Sequence, residues 1–333
     1  MESVYRRVTL DSGLLRSGSV ASKTDESAAA SRTDDARASP SRLARPGWTP
    51  YWQASPIALV FFFFFVLPLL VTVVVSFWRY TEYSIIPAFT PANYFEAFDK
   101  CISGLPSLCT TFSTYLSTLK FCLLVWALTL VLGFTVAYFL AFHIRTLTMQ
   151  LVLALVCIIP FWTSDVIRMI SWIPLLGRNG LVNKALLGLG LVGQPVEWLL
   201  YSNFAVTVAF VHLLTAFMIV PILNSMLKID KSLIEAARDA GAGGWQVLVN
   251  VVIPLSKTGI AIGSIFVITM VMGDFVTIGV MGGQQIASIG KEINVETGYL
   301  QFPIAAANAV ILLMTVLGII AVLTRFIDIR KEL

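Results

Sequence analysis

Residues 57–78 read IALVFFFFFVLPLLVTVVVSFW, an apolar run without a charged side chain and with phenylalanine at every position from 61 to 65. That is close to the ~20 residues an α-helix needs to cross a ~30 Å hydrocarbon core. Comparable runs follow at 115–142, 149–172, 204–223, 258–280 and 304–324. The fold class read from them is an all-α membrane protein with six transmembrane helices. Composition agrees: 57% of residues are hydrophobic, 13% are charged and the mean hydropathy is +0.83, whereas soluble domains carry about a quarter charged residues.

Outward from the first run, residues 1–46 are a Ser/Ala/Arg/Asp mixture with few large apolar side chains. Such a segment buries too little surface to offset its chain entropy, so it reads as a disordered tail. It contains no apolar h-region of a cleavable signal peptide. Trp48, Tyr51 and Trp52 then suit the headgroup level. No internal repeat or Gly/Ser-rich linker divides residues 47–333, which read as one six-span domain.

The net charge of +4 is not a nucleic-acid signal, because the basic residues lie between apolar runs and form no patch interleaved with aromatics. They report topology instead. With the N-terminus inside, sixteen of the 23 Lys and Arg fall on that side, which places both termini in the cytoplasm. Cys101 and Cys109 then lie together on the oxidising side. Gly104 and Pro106 between them allow the chain to turn back, so a disulfide is expected there.

Between the fourth and fifth runs stands Lys228-Ile229-Asp230-Lys231-Ser232-Leu233-Ile234-Glu235-Ala236-Ala237-Arg238-Asp239-Ala240-Gly241. Asp230 is placed as an N-cap, and Gly241 where a helix end needs left-handed backbone. A second short helix is expected over 244–252, ending at Ile253-Pro254. Leu233, Ala236, Ala237 and Ala240 share a stripe of mostly small residues flanked by Glu235, Arg238 and Asp239. That pattern suits a helix seated in a partner's groove, and it also suits a solvated loop helix.

The spacing of Glu235-Ala236-Ala237, Gly241 and Val252-Ile253-Pro254-Leu255 resembles the EAA loop of ABC importer permeases, with a slightly altered end that keeps Pro254. Pro160-Phe161-Trp162-Thr163, Arg168, Trp172, Gly180, Asn183, Gly273-Asp274-Phe275, Gly282-Gly283 and Gln301-Phe302-Pro303 resemble polyamine-type permeases, so the likeness covers most of 55–333. It implies an inner-membrane subunit that pairs with a second homologous permease. Each would dock its coupling helix on one of two cytoplasmic ATPase subunits, which bind ATP and Mg. A periplasmic binding protein would deliver spermidine, putrescine or another small solute such as an opine or iron. Residues implied for coupling are Glu235, Ala236, Ala237, Arg238, Asp239, Gly241 and Pro254.

The chain itself carries no phosphate-binding G-x-x-x-x-G-K-[ST] motif, no nucleophile motif and no His/Cys spacing for a metal. It is read as non-catalytic and free of cofactors. Ionisable residues within spans are costly and count as functional candidates. Asp165 and Arg168, three apart, either pair with each other or face the solute. Asp274 has no basic residue within helical reach. It belongs to a wet cavity with Trp162, Trp172 and Phe275 as aromatic contacts for a cation, or to a neighbouring subunit. A secondary transporter is the rival reading, but it leaves the EAA loop unexplained and calls for repeats.

Overall fold

The computed structural model describes residues 49–81, 84–98, 110–144, 146–283 and 285–325. The expected disordered tail and the Cys101–Cys109 pair lie outside them. The chain divides after Phe64. Before that point lies helix α1 (Thr49–Phe61), which leads into a π-turn (Phe62–Val66). After it come α2 (Leu67–Val75), a two-stranded antiparallel ribbon of β1 (Arg79–Tyr80) and β2 (Ile85–Ile86), α3 (Ala92–Ala97) and α4 (Thr110–Phe142). Next are α5 (Leu147–Ile158), α6 (Asp165–Ile170), α7 (Trp172–Leu176) and α8 (Leu181–Gly188). The last part holds α9 (Asn203–Leu227), α10 (Lys231–Asp239), α11 (Gly244–Val247), α12 (Ile253–Gly273), α13 (Val276–Met281), α14 (Ile289–Gly298) and α15 (Phe302–Arg325).

Among the described residues, five stretches are long and apolar enough to span a bilayer: Trp52–Val75, Thr111–Phe142, Glu197–Leu227, Gly244–Gly273 and Phe302–Arg325. The bent pair Leu147–Trp162 and Asp165–Gly188 makes a sixth when counted as one span. Helices suit this solvent because each satisfies its own backbone groups where no water can. The apolar side chains therefore need no protein partner, and Phe64 is 74% exposed.

The centre of the bundle is α9, whose apolar window is 61% buried against 22% for the last span. It packs on α4 and α12. Small residues permit the approach. A Cβ on Gly259 would lie 2.4 Å from the Pro221 carbonyl, and one on Gly133 would lie 2.8 Å from Met218 Cγ. Between helices in lipid, close packing and hydrogen bonds replace the hydrophobic drive. Trp126 supplies one such bond, donating from Nε1 to Ser264 Oγ at 2.8 Å across α4 and α12. A Cβ on Gly263 would likewise lie 2.7 Å from Met218 Sδ, so both glycines serve contact within this chain.

Two expectations are corrected. The third span is not continuous: the helix ending at Trp162 and the one starting at Asp165 bend by 93°. A 3-10 turn over Ile159–Trp162 carries Pro160, and Thr163 and Ser164 take extended backbone, which ends the helical ladder. The second short helix also does not stop at Ile253-Pro254. Residues Gly244–Gly273 run on as one span through a π-turn (Leu248–Val252). Proline lacks an N–H and clashes with the carbonyl four residues earlier. Widening the preceding turn relieves both problems, and the same device precedes Pro68 at the start of α2.

Because successive spans reverse direction, α10 stands at one end of the bundle. The ribbon with α3, the segment α6–α8, and α13–α14 share the other.

Candidate functional site

At the first end, the α10 turn is built by its caps. The Ser232 N–H donates to Asp230 Oδ1 at 3.0 Å, and this backbone bond holds the carboxyl below its ordinary value. At the far end Gly241 has φ +87°. The Ala242 N–H reaches the Ala237 carbonyl at 3.0 Å and the Gly241 N–H reaches Arg238 at 2.8 Å. These are the paired bonds of a Schellman end, in which glycine avoids a Cβ penalty. The Gly243 N–H then donates to Gln246 Oε1 at 2.9 Å and starts α11. Both placements read from the sequence hold.

The stripe on α10 divides. Ile234 is buried and Ala237 half-buried against the bundle, whereas Leu233, Ala236 and Ala240 are exposed with Glu235, Arg238 and Asp239. Trp245 of α11, which the sequence reading passed over, is 74% exposed beside them in the chain. Pro254 lies at the first turn of α12 and shapes the π-turn without ending the helix.

At the other end, the five residues expected along a solute path do not form one site. Asp165 pairs with Arg168 on α6. Trp172 donates from Nε1 to His212 Nδ1 at 3.1 Å. Both line a cavity of about 550 Å³ with Cys157 and Pro160, and Trp162, Asp165, Asp274 and Phe275 are absent from its lining. Trp162 is 89% exposed at the bend. Asp274 has no ion-pair partner among the described residues, yet its carboxylate is engaged. It sits at the break between α12 and α13, and its oxygens accept from the Thr277 N–H at 2.8 Å and the Thr277 hydroxyl at 2.7 Å. That is a capping arrangement, which the sequence signals only as a carboxylate three residues before a threonine.

The glycines and the asparagine of the shared motifs prove to be joints. A Cβ on Gly180 would meet the Leu175 carbonyl at 2.6 Å, and one on Gly290 would meet that of Gly273 at 2.9 Å. Asn183, fully buried, bonds the Gly177 and Val196 backbones and so ties α8 to the chain before α9.

One group the sequence reading missed lies on α14. Glu292 and Glu296, four apart, turn the same way although like charges at that spacing repel. Glu296 Oε1 accepts from Asn308 Nδ2 at 2.8 Å, and Thr111 donates to Glu292 Oε1 at 3.4 Å. Burial, then the charges of Glu292 and Glu96, push the Glu296 carboxyl up to about 7, with the Asn308 bond opposing. Burial likewise raises Glu292.

No family model matches the chain. It is 33% identical over 259 residues to the spermidine/putrescine transport system permease protein PotB of Escherichia coli (strain K12), covering 76% of this chain and 88% of that protein. The chain belongs to the polyamine-type permease family of binding-protein-dependent ABC importers. The Salmonella typhimurium (strain SL1344) PotB is 34% identical over 259 residues, covering 76% of this chain and 84% of its own. A solved bacterial alginate ABC transporter, in complex with an alginate pentasaccharide-bound periplasmic protein, shares the fold. Its TM-score is 0.63 at 16% identity, over 84% of this chain and 94% of that one. The permease is thus a multi-pass membrane subunit of an ABC importer, and its two ends can be assigned work.

Proposed function

We propose that the permease passes a polyamine such as spermidine or putrescine inward across the bacterial inner membrane, with α10 as its contact to an ATPase subunit. The observation that carries the coupling half is the α10 turn. It is capped at both ends, stands outside the spans and leaves Leu233, Ala236 and Ala240 uncovered beside Glu235 and Asp239. Small exposed residues flanked by charges suit a groove on a soluble partner. The solute follows from the names of the PotB relatives.

On this reading two ATPase subunits bind ATP and Mg, a second homologous permease completes the passage, and a periplasmic protein delivers the solute to the end that carries α14. The chain has no catalytic role of its own. The Lys and Arg asymmetry supports cytoplasmic termini and a cytoplasmic α10. Of the residues expected along the path, Trp172 keeps the strongest claim because it lines a cavity. Reconstitution of the permease with its partner subunits in liposomes tests the reading. Putrescine uptake should require ATP and the binding protein, and uptake driven by an ion gradient alone would overturn it.

A further inference from the structure

The α14 carboxylates have few donors: the Thr111 and Thr114 hydroxyls for Glu292 and the Asn308 amide for Glu296. Glu292 Oε2, Glu296 Oε2 and Asn308 Oδ1 are buried atoms without a hydrogen-bond partner among the described residues. Asn308 is 1% exposed. Its Nδ2 already donates to Glu296, which leaves its oxygen as the orphan. Rotating the amide would set oxygen against carboxylate, so the orphan remains an acceptor. The two ion pairs among the described residues, Asp165 with Arg168 and Glu197 with Arg178, do not involve either glutamate.

A native structure rarely leaves buried polar atoms unpaired unless something absent completes them. With Glu296 ionised, all three orphans accept and none donates. No group of three His, Cys, Asp or Glu side chains that could hold a metal occurs among the described residues, so a cation that suits them need not be a metal. An alkylammonium suits them: it carries positive charge and three N–H donors, and it has no acceptor of its own. Exposure also falls across the group. Exposed Glu96 on α3, held by the Tyr80 hydroxyl at 3.0 Å, acts on Glu296 electrostatically. Half-buried Glu296 and Glu292 lead on to buried Asn308.

We propose that Glu292, Glu296 and Asn308 bind the terminal ammonium of a small organic amine at the end of the bundle opposite α10. Its assignment to the transported solute rests on the polyamine reading above; the site does not.

The full-length permease in lipid nanodiscs is the material for the test, and labelled putrescine is the probe. Saturable binding is expected, weakened at least tenfold in the Glu292→Gln/Glu296→Gln variant. Glu197→Gln changes an exposed acid at the same end and should bind as the native chain does. Ethylammonium should compete, whereas tetramethylammonium, which has the charge without N–H donors, should not. That competition is read on the native protein, so it stands even if the double variant fails to fold. Unchanged binding in the double variant, equal competition by the two cations, or no saturable binding each overturns the site. Uptake by the assembled importer separates the two claims. If the importer carries no polyamine while ethylammonium binds and the double variant loses it, the site stands and the solute reading falls. If the double variant binds and transports putrescine at native rates, the site falls and the solute reading stands.

Discussion

Glu296 holds a proton more firmly in the folded permease than in the unfolded chain. Its carboxyl is raised from 4.5 to about 7, first by burial and then by Glu292 and Glu96, against the Asn308 bond. The groups facing it are Glu292 on α14, Glu96 on α3, Tyr80 on β1 and Tyr115 on α4. A raised carboxyl binds more protons folded than unfolded between those two values, so its contribution to stability falls as pH rises through that window. The loss is complete above about 7. Thermal unfolding of the purified permease, followed by tryptophan fluorescence, should show a midpoint that drops from pH 5 to pH 7.5. Glu296→Gln should flatten the drop, and putrescine should restore the midpoint at pH 8. A native midpoint that rises over this range would refute the assignment. Asp274 makes a contrasting case. Its oxygens cap the chain at Thr277, so Asp274→Ala should cost about 1 kcal/mol, typical of a lost cap. Asp274→Asn keeps an acceptor and should lower stability by far less in the same assay.

At the scale of elements, the α10 turn gives the sharpest test. Gly241 has φ +87° with open space around it, so Gly241→Val meets no clash and suffers only backbone strain. The strain unwinds the Schellman end and re-aims the exposed face. Gly241→Val and Glu235→Ala should insert normally yet lose putrescine uptake, and native substrate-stimulated ATPase activity in both would sink the coupling role. This turn was legible in the sequence because caps are local chemistry: Asp230 and Gly241 act on backbone within a few residues of themselves. The bend at Thr163 was not, since residues 149–172 read as one apolar run and hydropathy does not register a lost ladder. Pro254 misled for a related reason. Proline forbids an ordinary turn before it, but a π-turn satisfies the same constraint without ending the helix. The α14 cluster escaped because Asn308 lies a whole element away from Glu296. Only the like-charge spacing of Glu292 and Glu296 hinted at it.

For the whole molecule, everything assigned to either end depends on which way the chain lies in the membrane. The spans alternate, so α10 and the α14 cluster face opposite compartments whatever the orientation. Sixteen of the 23 Lys and Arg lie on the α10 side when the termini are placed with it, and basic residues are retained in the cytoplasm. An ammonium site belongs on the side where solute arrives, and an ATPase contact belongs where ATP is, so both assignments need this orientation. Ala240 on the α10 side and Glu197 on the other are both exposed, which makes them suitable single reporters. In a chain with Cys101 and Cys109 replaced by serine, Ala240→Cys should resist a membrane-impermeant maleimide in intact spheroplasts and react after lysis. Glu197→Cys should react in both. The native pair gives an independent reading of the same geometry, because a disulfide persists only in an oxidising compartment. Cys101 and Cys109 should be unreactive until a reductant is added, while Cys122, which is buried, and Cys157 are free. Labelling of Ala240→Cys in intact spheroplasts would invert the molecule. It would put the α14 carboxylates in the cytoplasm and remove α10 from any contact with an ATPase.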